Sequence, residues 1–531
     1  MPVADAVSIL SQGYTPSIIL AVVAVLLIIR QRLAVQLDPK EPPILKPKVP
    51  YIGHIIGLFQ HHGAYFDKLY ARKPMPIATL PMINAKLYII TDPVMAQNAF
   101  RHKNLSFDPF TLEFAQRMLG VSDESMVPVR FAGDEKNPGF LAQFLKEIHE
   151  AMRGEYLHKM NADVLNGVAV TINELGKTFE PESLFYWLRG TITVATSNAL
   201  FGSFNPFKDD PALGDALWDF DNGLMGLILN LFPAITFPAA YKGRAKIQEA
   251  LIKYYTAEHD LDPSVSQMAK VRAALFRRKG IPAFDIGKFE LALIHVSTAN
   301  AIPTLFWNLC FVATAPKTTA TIRKEIESII TVSTLDNGKR EAVIDITKFD
   351  THCPVLVSSY RETIRLANAQ LGARRAMEDT ILSDGKNEYL LKAGCDIQLP
   401  AGVPHLNEAA WGPTASSFDA TRFMSPEERG DSSAKARLED REQKRSYFPF
   451  GGGKHLCPGR NFAFAEILGT IAVLVTGFDV NNRDGGMIEI PKLGRARLGE
   501  GVAKPTGKGL TMGARIERRT GWEDVVWKFT C

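Results

Sequence analysis

Cys457 stands in the stretch of this sequence whose residue types and spacing best suit metal chemistry. Residues 448–460 read Phe-Pro-Phe-Gly-Gly-Gly-Lys-His-Leu-Cys-Pro-Gly-Arg. Successive glycines allow a tight turn and a close approach of backbone to a ligand. After Cys457 come Pro458 and Gly459, then an apolar run, Phe462-Ala-Phe-Ala-Glu-Ile467, that reads as a helix. Beside a helix N-terminus, the dipole and the free N–H groups favour a thiolate over a thiol. A lone Cys without a Cys-x-x-Cys partner is a poor donor set for zinc, whereas a haem iron takes a single proximal protein ligand. On the residues alone, two other readings of the loop stay open. One is a phosphate-binding turn, although Gly-x-x-x-x-Gly-Lys-Ser/Thr is absent; the other is a plain surface turn.

A second group of charged residues precedes this loop. Glu362-Thr-Ile-Arg365 puts an acid and a base three apart, on one face of a helix, where they can pair. Arg422 follows in Phe418-Asp-Ala-Thr-Arg-Phe423, and Arg374 and Arg375 lie between. An Arg fork suits bidentate binding of a carboxylate. Upstream, Lys288 to Ala313 is nearly free of charge after Glu290. A helix apolar all round is buried, so this segment is expected as a central helix, kinked at Pro303.

The elements that must position these groups are mostly helical. Residues 76–92 read as a β-hairpin, and about 140–380 as mainly helix, including segments near 317–331 and 355–367. Short strands are expected near 379–399, a charged, loop-rich region over 400–448, and strands and turns over 487–518. The fold class is therefore mainly α with a minor β part. Its 531 residues carry no Gly/Ser tract, long Pro run or repeat that would mark a linker inside the body. The hydrophobic share is 46% and the charged share 22%, as in a folded chain with a large core. With 61 basic and 57 acidic residues, the net charge of +4 gives no ground for a nucleic-acid partner. The five cysteines lack the close pairing of a disulfide framework.

The N-terminus is different. No charged residue occurs from Ala6 to Ile29, Ile18–Ile29 is wholly apolar, and Arg30 and Arg32 follow. About 20 apolar residues span a bilayer as a helix. The absence of Lys or Arg before this run argues against a cleaved signal peptide. We expect a single transmembrane anchor over residues 1–33, with the basic flank and the body cytosolic. A stiff Pro-rich hinge is expected over 34–53, and one catalytic domain over 54–531.

The loop matches the haem-binding signature of the cytochrome P-450 family: Phe450, Gly453, His455, Cys457 and Gly459 occupy its fixed positions. His455 replaces the usual Arg. The Glu362–Arg365 pair resembles the family's ExxR motif, and Phe418–Phe423 its following Arg segment, with Ala420 in place of Pro. The resemblance runs from the hinge to about residue 480. It implies the cytochrome P-450 fold, a haem whose iron is ligated by Cys457, a structural cluster of Glu362, Arg365 and Arg422, and an Arg on a haem propionate. We assign that Arg to Arg375, with Arg374 as the alternative. The family's Trp-x-x-x-Arg contact to the propionates is not found; His158 and Lys159 are loose substitutes.

The central helix departs from the family. Its usual acid and Thr, which relay protons during oxygen activation, are replaced by Ala299 and Asn300. The sequence Asn-Ala-Ile-Pro resembles the sterol 7α-hydroxylase and prostacyclin synthase branch, and Asn300 is the candidate catalytic residue. The resemblance implies monooxygenation of a hydrophobic substrate such as a sterol, terpenoid, polyketide or fatty-acid-like molecule. It also implies NADPH-cytochrome P-450 reductase as electron donor, the endoplasmic reticulum membrane as location, and a place in fungal secondary metabolism. Lys454, Arg460 and the Arg441–Arg445 cluster are candidates for the reductase's docking surface. Asn300 also motivates a reductase-independent isomerase or dehydratase acting on a peroxide or oxygenated lipid. A non-catalytic haem-binding membrane protein is the third reading.

Overall fold

Helix α1 (Leu184–Phe201) starts where the Ser183 side chain accepts the Tyr186 N–H, a cap that satisfies one free donor of the first turn. It packs on a broken central helix, α3 (Ala283–Thr298) and α4 (Ala301–Ala313). Helix α4 in turn packs on α5 (Pro354–Ala367) and on α7 (Arg460–Gly477). Nearly every side chain of α4 and most of those of α7 are buried, as their largely apolar sequences require. Between α1 and α3 in sequence lies α2 (Ala212–Asn222), and between α5 and α7 lies α6 (Ala434–Arg445). This computed structural model describes Ala24 and residues 37–531, apart from Tyr51, Asn84, Glu135, Ala369 and Arg495. The anchor expected over 1–33 falls on residues outside that range, Ala24 excepted.

The expected hairpin forms β1 (Ile77–Met82) and β2 (Ala85–Ile90) of a five-stranded sheet. With β3 (Leu105–Ser106), β4 (Leu371–Ala376) and β5 (Asp396–Pro400), its order is β1-β2-β5-β4-β3. Smaller two- and three-stranded sheets flank the helical body. The fold is mainly helical with some sheet, as expected.

Three features differ from the sequence expectation. The central helix breaks at Ala299–Asn300, ahead of Pro303. Proline has no N–H for the carbonyl four residues back, at Ala299, and its ring crowds that carbonyl. The charged region before the Cys loop contains α6, capped by Ser433. Pairs such as Lys444–Asp440, 2.7 Å apart one turn away, support a helix that is polar on nearly all sides. The Pro-rich hinge is not a free connector in its described part. Glu41 is buried and accepts from Tyr88 Oη (2.6 Å) and Lys86 Nζ (2.8 Å), while the Thr79 N–H donates to the Pro43 carbonyl. The body therefore begins before residue 54.

The broken central helix (α3 and α4 together) and α7 are long and apolar enough to cross a membrane, yet 78% of the most apolar stretch of each is buried inside the protein. They are core helices.

Candidate functional site

The Cys457 loop is shaped by contacts from a distant part of the chain. Gly453 has φ +64°, in the region that favours glycine. A Cβ built there would lie 2.0 Å from the Phe100 carbonyl oxygen. No side chain fits at that position without moving one of the two backbones. Cys457 N–H donates to the Phe450 carbonyl (3.1 Å), which folds the loop back on itself. Gly459 then caps α7. Burial pushes the Cys457 thiol above its ordinary value, and the backbone N–H groups of Gly459 and Arg460, with the Arg460 charge, pull it back down. Arg460 also donates to the Cys457 carbonyl (2.9 Å). Those donors complement a thiolate. They do not offset burial alone; a metal cation bound at the sulfur would stabilise the anion further.

Strand β4 decides which arginine reaches the loop. Arg374 is buried, donates to the Gly452 carbonyl (3.1 Å), and leaves its Nε without a partner. Burial lowers its pKa to about 10. Arg375 points the opposite way, as successive strand residues do. It is held by Asp396 (2.7 Å) and Glu113 (2.7 Å), which raise its pKa. The first-choice assignment of Arg375 as the arginine of the haem pocket thus gives way to Arg374. His455 packs edge-on against Phe107, with ring centroids 5.6 Å apart. Its Nε2 lies 3.3 Å from Asp108 Oδ1 but makes no hydrogen bond. Burial lowers its pKa to about 4, with the Asp108 charge opposing and those of Arg374 and Lys454 adding, so it is neutral near pH 7. His158 and Lys159 lie on an exposed helix face, where Lys159 pairs with Asp163 (2.6 Å).

Behind the loop, Glu362 receives Arg365 at two atoms (both 2.7 Å) and Arg422 Nε (2.9 Å). All three residues are buried. Arg365 also donates to the carbonyls of His405 and Ala415, and Arg422 to those of Trp411 and Thr414. One carboxylate and two guanidinium groups thereby gather segments 402–423 onto α5.

At the break between α3 and α4, Asn300 is exposed amid buried neighbours, as is Val296 one turn earlier. The Asn300 carbonyl accepts from Thr304 Oγ1 (2.7 Å). A Cβ on Gly501 would lie 2.9 Å from Asn300 Oδ1, so a loop near the C-terminus passes directly beside this amide. That loop is tied to α4 by Trp307 Nε1, which donates to the Ala503 carbonyl (2.7 Å).

Sequence reasoning missed Glu466, on α7. It is fully buried, accepts from Thr196 Oγ1 (2.5 Å), and has no partner at Oε2. Burial raises its pKa to about 8, against the opposing effect of that hydrogen bond. Glutamate inside an apolar run was the signal available. Its folded pKa lies above its ordinary value, so the unfolded chain ionises first as pH rises. Stability from this group is full below the ordinary value of 4.5 and falls until pH passes about 8. Glu466→Gln is expected to remove that slope and to raise the thermal midpoint at about pH 8 more than at about pH 5. Melting curves at both pH values check it.

These residues fit a haem. A lone, half-buried Cys with N–H donors at its sulfur suits a single proximal ligand. The unpartnered Arg374 Nε and His455 nitrogen are buried polar groups that propionate carboxylates would complement. Among the described residues, no group of three His, Cys, Asp or Glu side chains forms an alternative metal site.

Comparisons with known proteins agree. The family model Cytochrome P450 matches residues 288–506. A cytochrome P450 monooxygenase of Gibberella zeae is 36% identical, over 96% of this chain and 95% of its own. A cholesterol 7-alpha-monooxygenase of Cricetulus griseus is 23% identical over 88% of this chain and 92% of its own, in keeping with the sterol-hydroxylase resemblance of the central helix. Among solved structures, retinoic acid-bound cyanobacterial CYP120A1 superposes with a TM-score of 0.62 at 15% identity, over 91% of this chain and all of that one. Similarity to the Gibberella protein along nearly the whole length, joined to a loop folded around one half-buried cysteine, establishes that this chain belongs to the cytochrome P450 family, as a haem-thiolate monooxygenase.

Proposed function

We propose that Cys457 would hold the haem iron through its sulfur and that the enzyme hydroxylates a sterol-, terpenoid-, polyketide- or fatty-acid-like substrate. In this reading NADPH-cytochrome P-450 reductase supplies the electrons at the endoplasmic reticulum membrane, to a catalytic domain on the cytosolic side. The observation that carries it is the half-buried Cys457 sulfur, on which the N–H groups of Gly459 and Arg460 act. When bound, the haem supplies the oxygen-activating redox chemistry. Arg374 and His455 are the side chains for the propionates. Phe450 packs against the main hydrophobic core, and with Gly453 and Gly459 it sets the path of the loop around the sulfur. Glu362, Arg365 and Arg422 hold that loop's supporting segments without touching the substrate.

Asn300 has an amide that both donates and accepts hydrogen bonds but carries no transferable proton at neutral pH. Its role is to orient a substrate group or a water at the helix break. Asn300→Ala is expected to leave haem content unchanged while lowering the fraction of reducing equivalents recovered in product, about ten-fold at most for one hydrogen bond. Product formed per NADPH consumed, with haem per chain as control, measures this.

A membrane location is supported by the uncharged N-terminal run and by exposed apolar side chains at Leu231, Phe232 and Ile235. Apolar surface of this kind marks membrane or partner contacts. The docking surface proposed for the reductase keeps Arg441, which is exposed, whereas Lys454 is paired with Asp108 (2.9 Å) and Arg445 with Glu442 (2.7 Å).

The isomerase reading rests on Ala299 in place of the acid and Asn300 in place of the Thr. Turnover with and without NADPH and reductase separates the two. Product requiring both is the expected result. Conversion of a hydroperoxide or endoperoxide without reductase would sink the oxygenase reading for this substrate class.

A further inference from the structure

Asn300 is the N-cap of α4. Asparagine suits that place, because its side-chain oxygen accepts the N–H of the second or third helical residue. Here it makes no such bond. The sequence supplies a reason. Ala301 is the first helical residue, so the third is Pro303, which has no N–H to give. Among the described residues, no hydrogen bond holds the Asn300 side chain, while its carbonyl accepts from Thr304 Oγ1 (2.7 Å). The residue is exposed, although Ala299 and Ala301 on either side are buried. Its amide is thus left free to meet a group outside the helix.

Packing does what hydrogen bonds do not. A Cβ built on Gly501 would lie 2.9 Å from Asn300 Oδ1, 3.3 Å from Cγ and 3.4 Å from Nδ2. The whole amide rests on the bare α-carbon of Gly501. That glycine is not among those with positive φ, so its missing side chain serves this contact and not a turn. The loop around it is fixed on both sides. Ala503 accepts from Trp307 Nε1 (2.7 Å) and donates its N–H to the Ala367 carbonyl at the end of α5 (2.9 Å). Glu500 accepts the Arg497 N–H (2.8 Å). Lys504 joins Glu500 (3.1 Å) to Asp221 on α2, and His295 Nε2 on α3 meets Asp221 at 2.9 Å. A methyl group at 501 would therefore press between a tethered backbone and an untethered amide. Moving the loop breaks these ties, whereas a side chain leaves its rotamer at small cost. The amide gives way.

We infer that Gly501 is a positioning residue: by lacking a side chain it seats the Asn300 amide and fixes the direction in which that amide presents its donor and acceptor. The inference rests on the proposed reading that Asn300 faces the substrate side of the haem.

The test uses the full-length, haem-loaded protein in its reduced form, with carbon monoxide as the probe. The C–O stretching band, recorded by infrared spectroscopy, responds to polar groups around the bound gas and needs no turnover. Wild type, Gly501→Ala, Asn300→Ala and the double variant form a cycle that isolates the coupling between two residues in contact. Asn300→Ala is expected to shift the band, and Gly501→Ala to shift it by displacing the amide. In the Asn300→Ala background, Gly501→Ala is expected to add no shift, because the new methyl group meets open space where Oδ1 stood. Haem per chain and the thermal midpoint are expected to stay at the wild-type level in Gly501→Ala. A Gly501→Ala band identical to the wild type's overturns the inference, provided that Asn300→Ala moves it. An undiminished Gly501→Ala shift in the Asn300→Ala background also overturns it, since the methyl group would then act through the loop. So does loss of haem from Gly501→Ala, for then the loop and not the amide has yielded. A band unmoved by Asn300→Ala defeats the reading of Asn300 itself, and the inference falls with it.

Discussion

Cys457→Ser is expected to abolish the red-shifted Soret band of the reduced carbon monoxide complex and all NADPH-dependent turnover. The substitution is nearly isosteric, and the loop is shaped by Gly453 against Phe100 and by the bond from Cys457 N–H to the Phe450 carbonyl, none of which needs the sulfur. What changes is the donor. A serine hydroxyl ionises far less readily than a thiol and gives the iron much less electron density. The N–H groups of Gly459 and Arg460 and the Arg460 charge aid an anion here, yet burial outweighs them. A harder anion to form, in the same buried setting, will not be held. Absorption spectra and haem per chain, with far-UV circular dichroism to show that the fold persists, measure the effect. A retained red-shifted band would show that another residue is the ligand.

Glu362→Ala is expected to cost about 3–5 kcal/mol, because removing one partner of a buried ion network leaves the others uncompensated. Here two guanidinium groups lose their shared carboxylate. Arg365 is fully buried, Arg422 is 6% exposed, and neither can reach solvent without opening segments 402–423. Their remaining bonds are to backbone carbonyls and the Thr414 hydroxyl, none of which carries a charge to offset theirs. Domains are typically stable by only about 5–15 kcal/mol, so the variant should yield little folded, haem-loaded protein. Denaturant unfolding and haem retention during purification report on it. A midpoint shifted by less than about 1 kcal/mol of stability would mean that the network is more solvated than its burial implies.

The Cys loop, the Glu362–Arg365 pair and the later Arg422 were legible because their meaning lies in short spacings: a turn, three residues along a helix, one arginine in a short motif. The central helix was legible from its lack of charge, and Pro303 announced an interruption, although the break itself falls earlier, at Ala299–Asn300. Other parts depend on long-range partners and could not be read locally. Whether Arg374 or Arg375 faces the loop depends on the phase of β4, which is set by its pairing with β5. Helix α6 looked like a loop because it buries almost nothing and so lacks apolar periodicity. Glu466 meets Thr196 across 270 residues, and Lys504 meets Asp221 across 283. No window of sequence contains either pair.

The close approach of Gly453 to the Phe100 carbonyl has a bearing on how the enzyme assembles. The two residues are distant in the chain, so the mould for the metal-binding turn is supplied by an N-terminal segment that must already have docked. A fragment starting near residue 288 would hold every residue of the matched family region and still lack half of that mould. Cofactor capture is therefore tied to late, non-local docking rather than to local turn formation, and contacts of such wide separation are slow to form.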